Sequence, residues 1–201
     1  MDIRALKIKG SFEITPRQFP DDRGVFLESF RGDQLAEVIG HRLDVIQTNV
    51  SVSSRGTVRG VHFAEVPPSQ AKYITALSGS FIDFVIDIRV GSPTFGQWES
   101  ALLDTVDRRA VYLAEGLGHA ICSLQDDSTV MYLCSATFNP AREHAINPLD
   151  PELGLTLPGD ITPVLSAKDA AAPSLSQAMT QGLLPSYEEC LRFYAELAAG
   201  S

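Results

Sequence analysis

Cysteine, tryptophan and histidine are scarce in this chain of 201 residues, with three, one and four copies. The cysteines, Cys122, Cys134 and Cys190, are odd in number and their spacing matches no zinc pattern. A disulfide framework and a structural zinc centre are therefore excluded, and buried free thiols in a reducing cytosol are expected. No apolar run approaches the roughly 20 residues that a membrane helix needs. The start, Met1-Asp2-Ile3-Arg4-Ala5-Leu6-Lys7, lacks a charged stretch followed by an apolar one, so no secretory leader is expected and the location read from the sequence is cytoplasmic. Basic residues are outnumbered 25 to 16, for a formal net charge of −9. Such a surface repels a polyphosphate backbone and argues against nucleic acid, whereas one local Arg/Lys cluster can still hold a small diphosphate.

What is present is an ordinary apolar share, 44%, enough for the core of a single domain over residues 1–201. From about residue 10 to about 147 the chain consists of short strand-like runs broken by Gly, Pro, Asp and Ser. In Phe81 to Arg89 the apolar Ile82, Phe84, Ile86 and Ile88 alternate with Phe81, Asp83, Val85, Asp87 and Arg89, which predicts a half-buried strand. In Val45 to Val52, Gln47, Asn49 and Ser51 share one face and Ile46, Thr48, Val50 and Val52 the other. Further strands are predicted at Val25 to Phe30, Val58 to Phe63, Tyr73 to Leu77, Ala110 to Leu113 and Thr129 to Ser135. Turn signals such as Asp21-Asp22-Arg23-Gly24 and Ser78-Gly79-Ser80 separate them. The fold class is mainly β: a sandwich, jelly roll or barrel. A short helix is predicted from Asp33, as N-cap, to Ile39, with Gly40 as its stop. A helical tail over about 167–199 follows, with one helix over Pro173 to Gln181 and another opened by a capping box of Ser186 and Glu189.

The segment Arg55-Gly56-Thr57-Val58-Arg59-Gly60-Val61-His62 carries the first candidate chemistry. Strict alternation sends Arg59 and His62 to opposite faces, but a bulge at Gly60 brings both to one side. Lys72 follows a Pro-Pro loop and opens the next strand, where it can face His62 across a hairpin or neighbouring strands. A lone His on a strand is ordinarily a hydrogen-bonded structural residue. An Arg, a His and a Lys converging on one cavity have no such rationale in an acidic protein and point to anion binding and proton transfer. Leu117-Gly118-His119 puts a second His near a turn. Neither His belongs to a paired ligand motif, so no metal is expected. Tyr132, among Val130, Met131 and Leu133, reads by itself as a core tyrosine, and Asp169 in Ser166-Ala167-Lys168-Asp169 as a helix start.

Taken in order, these stretches resemble the dTDP-4-dehydrorhamnose 3,5-epimerase family. The resemblance rests on Asp22-Arg23-Gly24-Val25-Phe26, Gln47-Thr48-Asn49, Val58-Arg59-Gly60-Val61-His62, Gln70-Ala71-Lys72, Asp87-Ile88-Arg89, Ser92-Pro93-Thr94-Phe95-Gly96, Gly118-His119, Asp150-Pro151-Glu152-Leu153 and Leu165-Ser166-Ala167-Lys168-Asp169. It spans about three quarters of the chain, and it is the ordered set that is specific. The resemblance implies a cupin-like jelly-roll β-barrel, a homodimer exchanging N-terminal strands, and an epimerase that needs no cofactor. It implies His62 as general base oriented by Asp169, Tyr132 as general acid on the opposite sugar face, and Lys72 beside the enolate oxygen. Arg59 and His119 would hold diphosphate or sugar oxygens. Gln47, Asn49, Phe138, Glu143 and Lys168 would bind the substrate, joined by Arg23, Phe26 and Glu28 reaching over from the partner. Phe138 stands where the family often has a tyrosine stacked on thymine.

The chain also departs from the family pattern. Ala64-Glu65 follows His62-Phe63 where a Gln is common, and Ala114-Glu115-Gly116-Leu117-Gly118-His119-Ala120 replaces a more usual Pro-x-Gly-Phe-x-His-Gly. The tail Gly182-Leu183-Leu184-Pro185-Ser186-Tyr187 is similar to a subgroup that makes deoxysugars for secondary metabolites. These departures favour one inversion over two, with C3 preferred to C5. The competing readings are a keto-sugar isomerase of similar fold, a non-catalytic sugar-nucleotide-binding cupin, and a metal-dependent cupin oxygenase.

Overall fold

Period-two alternation makes each strand offer one side chain in two to each face of its sheet, and two such sheets bury their inner faces against each other. The computed structural model describes residues 1–67 and 69–200; Pro68 of the predicted Pro-Pro loop lies outside them. One antiparallel sheet has six strands in the order β1 (Asp2–Ala5), β2 (Ser11–Thr15), β10 (Ala110–Leu113), β7 (Lys72–Ser78), β12 (Ser128–Cys134) and β5 (Gln47–Ser53). The facing sheet has five: β13 (Glu143–Ala145), β6 (Val58–Ala64), β11 (Gly118–Ser123), β8 (Ser80–Ile86) and β9 (Trp98–Asp104). A separate hairpin pairs β3 (Gln18–Asp21) with β4 (Gly24–Leu27). The paired sheets form the cupin-like jelly roll that the resemblance implies.

Three apolar clusters hold this frame. Ile74, Ala76, Val111 and Val130 of the six-stranded sheet meet Phe81, Val85, Leu103 and Ile121 of the other in the inter-sheet core. The outer face of the five-stranded sheet, with Val61, Phe63, Phe84, Ile86 and Ala120, is covered by Leu153, Leu175 and Ala178 from the C-terminal segment. The outer face of the six-stranded sheet packs Tyr73, Tyr112 and Leu133 against Leu35 of helix α1 (Gly32–Ile39) and Leu43. The strand predicted as half-buried over Phe81 to Arg89 is thus buried on both faces: Asp83, Asp87 and Arg89 are among the least exposed residues of the chain. Simple alternation could not reveal this: the Phe84–Ile86 face is covered by residues some 70 to 95 positions later, while Asp83, on the Phe81–Val85 face, looks into the space between the sheets. The opposite deviation occurs on β5, an edge strand. Its polar face looks inward, while Ile46, Val50 and Val52 stand outward and mostly exposed, at 58–60%.

Two helix caps also differ from expectation. Helix α1 has its N-cap at Arg31, two positions earlier than predicted, with no side-chain cap; Asp33 sits in its first turn and pairs with Arg31 instead. Gly40 ends it in the left-handed conformation, as expected. In the tail, helix α2 (Ala167–Ala170) is capped by Ser166. Helix α3 spans Leu175–Thr180, shorter than predicted, because Ser174 and Gln177 form a reciprocal capping box there. Ser186 caps helix α4 (Tyr187–Ala199) through the Glu189 N–H. Parallel bridges at Thr57–Val164 and Val90–Ser186 tie this tail to the β body.

Candidate active site

Between the sheets, at one end of the inter-sheet core, lies a cavity of about 340 Å³, within the size range of small-ligand sites. The bulge at Gly60 builds one wall. His119 of β11 pairs with His62 and Ile121 with Arg59, so three residue steps on β6 oppose two on β11. The extra residue turns Val58, Val61 and Phe63 outward into the cluster beneath the tail. Arg59 and His62 both line the cavity. A glycine is needed here: Gly60 has φ +126, and a Cβ would fall 2.5 Å from the His119 carbonyl oxygen.

Lys72 and His62 also share the cavity, but they belong to opposite sheets, not to a hairpin or to neighbouring strands. Lys72 of β7 and Cys134 of β12 are register partners on the six-stranded wall, and Tyr132 stands two residues before Cys134. Burial lowers the pKa of the Lys72 ammonium, offset in part by Cys134 and Glu143. Burial raises that of the Tyr132 phenol; hydrogen bonding from the nearby Ser51 acts against it, and the charges of Asp83 and Arg59 add lesser raising and lowering effects. The phenol is therefore a proton donor at neutral pH.

On the facing wall His62 Nε2 lies 2.7 Å from Asp169 Oδ1. A carboxylate only accepts, so the Nε2–H donates, and the Nδ1 lone pair is left to act as base. Asp169 comes from α2, 107 positions along the chain, delivered by the Thr57–Val164 bridge and the Ser166 cap. Burial by itself would raise the Asp169 carboxyl; hydrogen bonding and charge from His62, with further hydrogen bonds from Ser166 and Gly60, outweigh it and hold the carboxyl below its usual range. A second dyad stands beside the first. His119 Nε2 donates to Asp83 Oδ2 at 2.7 Å, both side chains nearly fully buried, and the His119 ring meets Tyr132 edge-on with centroids 6.0 Å apart.

The remaining sequence candidates divide. Arg59 donates to Ser53 Oγ at 3.2 Å and the Val52 carbonyl at 3.4 Å. Gln47 bridges the Asn49 side chain and the Phe138 N–H at the rim. Glu143 and Lys168 also line the cavity. Arg23, Phe26 and Glu28 do not: Phe26 is 67% exposed on the β3–β4 hairpin, Arg23 pairs with Asp21, and Glu28 pairs with Arg31. Residue-by-residue reading missed Asp83 and Ser51 as site residues. An aspartate inside an otherwise apolar strand was the available signal for Asp83. Among the described residues, no group of three His, Cys, Asp or Glu converges as metal ligands.

A carbonyl compound held in this cavity would have a histidine–carboxylate base on one wall. A protonated phenol and an ammonium would face it from the other. That is the equipment for removing a proton next to a carbonyl, stabilising the enolate, and returning a proton from the far side.

The comparisons with known proteins agree with this chemistry. The family model described as dTDP-4-dehydrorhamnose 3,5-epimerase matches residues 5–177. A protein of that name from Mycolicibacterium smegmatis is 53% identical over 197 residues, covering 98% of this chain and 97% of its own. A dTDP-4-dehydrorhamnose 3-epimerase from Streptomyces niveus is also 53% identical, over 94% of this chain and 91% of its own. The crystal structure of a 3′-monoepimerase from Streptomyces bikiniensis in complex with dTDP-quinovose superposes with a TM-score of 0.95 at 46% identity, over 98% of this chain and 99% of that one.

Proposed function

Because the chain belongs to the dTDP-4-dehydrorhamnose 3,5-epimerase family, we propose that it epimerises a dTDP-linked 4-keto-6-deoxyhexose by side-chain acid–base chemistry alone. The C4 ketone acidifies the hydrogens on C3 and C5. His62, oriented by Asp169, removes one; Lys72 stabilises the negative charge that develops on the C4 oxygen; Tyr132 delivers a proton to the opposite face. Neither a change of oxidation state nor a Lewis acid is needed for these steps. Arg59 and His119 hold diphosphate or sugar oxygens. Gln47, Asn49, Phe138, Glu143 and Lys168 bind the rest of the substrate, with the Phe138 ring against the base. The observation that carries the reading is the opposition of the His62–Asp169 dyad to Tyr132 and Lys72 across one cavity.

The proposed regiochemistry is inversion at C3 alone. It is supported by the motif departures around Ala64-Glu65 and Ala114 to Ala120, and by single-centre relatives as similar to this chain as the double epimerases are. The working unit we propose is a homodimer in which Arg23, Phe26 and Glu28 of one copy reach the cavity of the other. This accounts for their exposure on, or for Glu28 just after, a hairpin away from their own cavity. The three free, buried cysteines suit a reducing, cytoplasmic setting.

His62→Ala tests the base assignment. The variant should bind dTDP with little change in affinity and no longer exchange substrate hydrogen for deuterium from solvent. Exchange near the wild-type rate would remove His62 from that role.

A further inference from the structure

The acid wall holds a hydroxyl that the mechanism leaves unused. Ser51 lies on β5; its Oγ is shut off from solvent and makes no short, well-aligned hydrogen bond, though it stands near enough to Tyr132 to favour the phenolate. A buried hydroxyl in that condition calls for an explanation. Antiparallel pairing sets Tyr132 opposite Asn49 and Val130 opposite Ser51. Ser51 and Tyr132 are therefore diagonal neighbours on one face, and both line the cavity. The surroundings of the phenol otherwise oppose its ionisation: it is buried, and Asp83 and Cys134 add unfavourable charge, while Ser51 and Arg59 act the other way. Of these two, Arg59 is already engaged by Ser53 and Val52; Ser51 has no hydrogen bond elsewhere.

We propose that Ser51 is the positioning residue for Tyr132, aiming the phenol before the second proton transfer and donating a hydrogen bond to the phenolate that the transfer leaves. In that step the Tyr132 O–H bond breaks and a C–H bond forms from the enolate electron pair. The negative charge passes from the substrate oxygen to the tyrosine oxygen. Ser51 keeps its proton throughout; solvent afterwards returns one to the phenolate and takes the one held by His62. The Ser51–Tyr132 contact is loose in the free chain and tightens when substrate fills the cavity, as catalytic hydrogen bonds commonly do.

The inference rests on the assignment of Tyr132 as the acid, and the test separates the two. Ser51→Ala and Ser51→Thr are made in the wild type and in Tyr132→Phe. Deuterium exchange and stereochemical inversion of dTDP-4-keto-6-deoxyglucose are then measured on the same samples. Loss of a hydrogen bond to a charged oxygen should slow inversion by Ser51→Ala about 10- to 100-fold while exchange continues. Ser51→Thr, which keeps the hydroxyl, should restore inversion. In the Tyr132→Phe background Ser51→Ala should cost nothing more. Wild-type inversion by Ser51→Ala, with Tyr132→Phe defective, would overturn the role of Ser51 and leave Tyr132 as the acid. Equal loss of exchange and inversion in Ser51→Ala would reduce Ser51 to a packing role. Unchanged inversion in Tyr132→Phe would overturn both assignments.

Discussion

Lys72 and Tyr132 stand on the same wall, and burial drives them in opposite directions. The ammonium loses its proton more readily than the usual 10.5, and the phenol less readily than the usual 10.0. As pH rises, Lys72 is therefore neutralised first. An enolate oxygen needs the charged form, so activity should fall on the alkaline side with a midpoint below 10.5, set by Lys72 and not by Tyr132. A pH–rate profile of Lys72→Arg checks this. The guanidinium stays charged throughout, so whatever activity the variant retains should lose that alkaline limb; an identical limb in variant and wild type would refute the assignment. The same displacement works against the fold. Folded Lys72 binds its proton less tightly than unfolded Lys72, so this part of the stability rises with pH between the two pKa values. At this scale the sequence was legible where neighbours decide geometry: the Gly60 bulge joins Arg59 to His62 within four residues. It was illegible where a partner is distant. Asp83 lies 36 positions from His119, and Asp169 lies 107 from His62. Only the family resemblance gave Asp169 its place.

The tail helix α4 is held to the β body by a buried ion pair. Arg89 donates twice to Asp87, at 2.8 Å each, with neither side chain exposed. Its guanidinium lies 5.0 Å from the Tyr187 ring centre and 3.3 Å from the Tyr194 hydroxyl, both on α4. Asp87 also accepts from Ser92 and Thr94 at 2.6 Å. Removing one partner of such a pair strands the other, so Arg89→Ala should destabilise the fold by about 3–5 kcal/mol in chemical denaturation. Replacing Asp87 as well should recover part of that loss. A cost under about 1 kcal/mol, typical of an exposed pair, would contradict the anchoring role. Asp87-Ile88-Arg89 was visible as a motif, but alternation put Asp87 and Arg89 on the face of a half-buried strand opposite its apolar one. What hides it is the tail packed over that strand, which no local pattern encodes. Other strands fared better: Ala110–Leu113 is found at its predicted bounds, and Tyr73 to Leu77, ahead of the Ser78-Gly79-Ser80 turn, within one residue at each end. The short edge elements β1, β3 and β13, of three or four residues each, offer too few positions for a period to register.

Across the whole molecule, the outward face of the edge strand β5 carries Val50 and Val52, with Ile46 just before it and Leu77 of β7 exposed two strands away. Uncovered apolar strand faces of this kind mark association surfaces, and the homodimer we propose would bury this one. Val50→Glu should therefore shift the protein from dimer to monomer in sedimentation velocity and impair turnover, since it separates each cavity from the other copy's hairpin. A wild-type monomer, fully active at micromolar concentration, would contradict the dimer. The class of fold was legible from many short, punctuated strands, and the cupin-like form from the ordered motifs. The facing of the two sheets was not, because it depends on which strands cross over: β7 and β6 follow each other in sequence and end on opposite walls. That opposition underlies the central claim, that a base and an acid address one sugar from two sides. Proton NMR of dTDP-4-keto-6-deoxyglucose with the enzyme in D₂O tests it most directly. The predicted result is loss of the C3 proton signal, deuterium at C3 and retention of hydrogen at C5. Retention of both hydrogens throughout prolonged incubation with active, folded protein would contradict it.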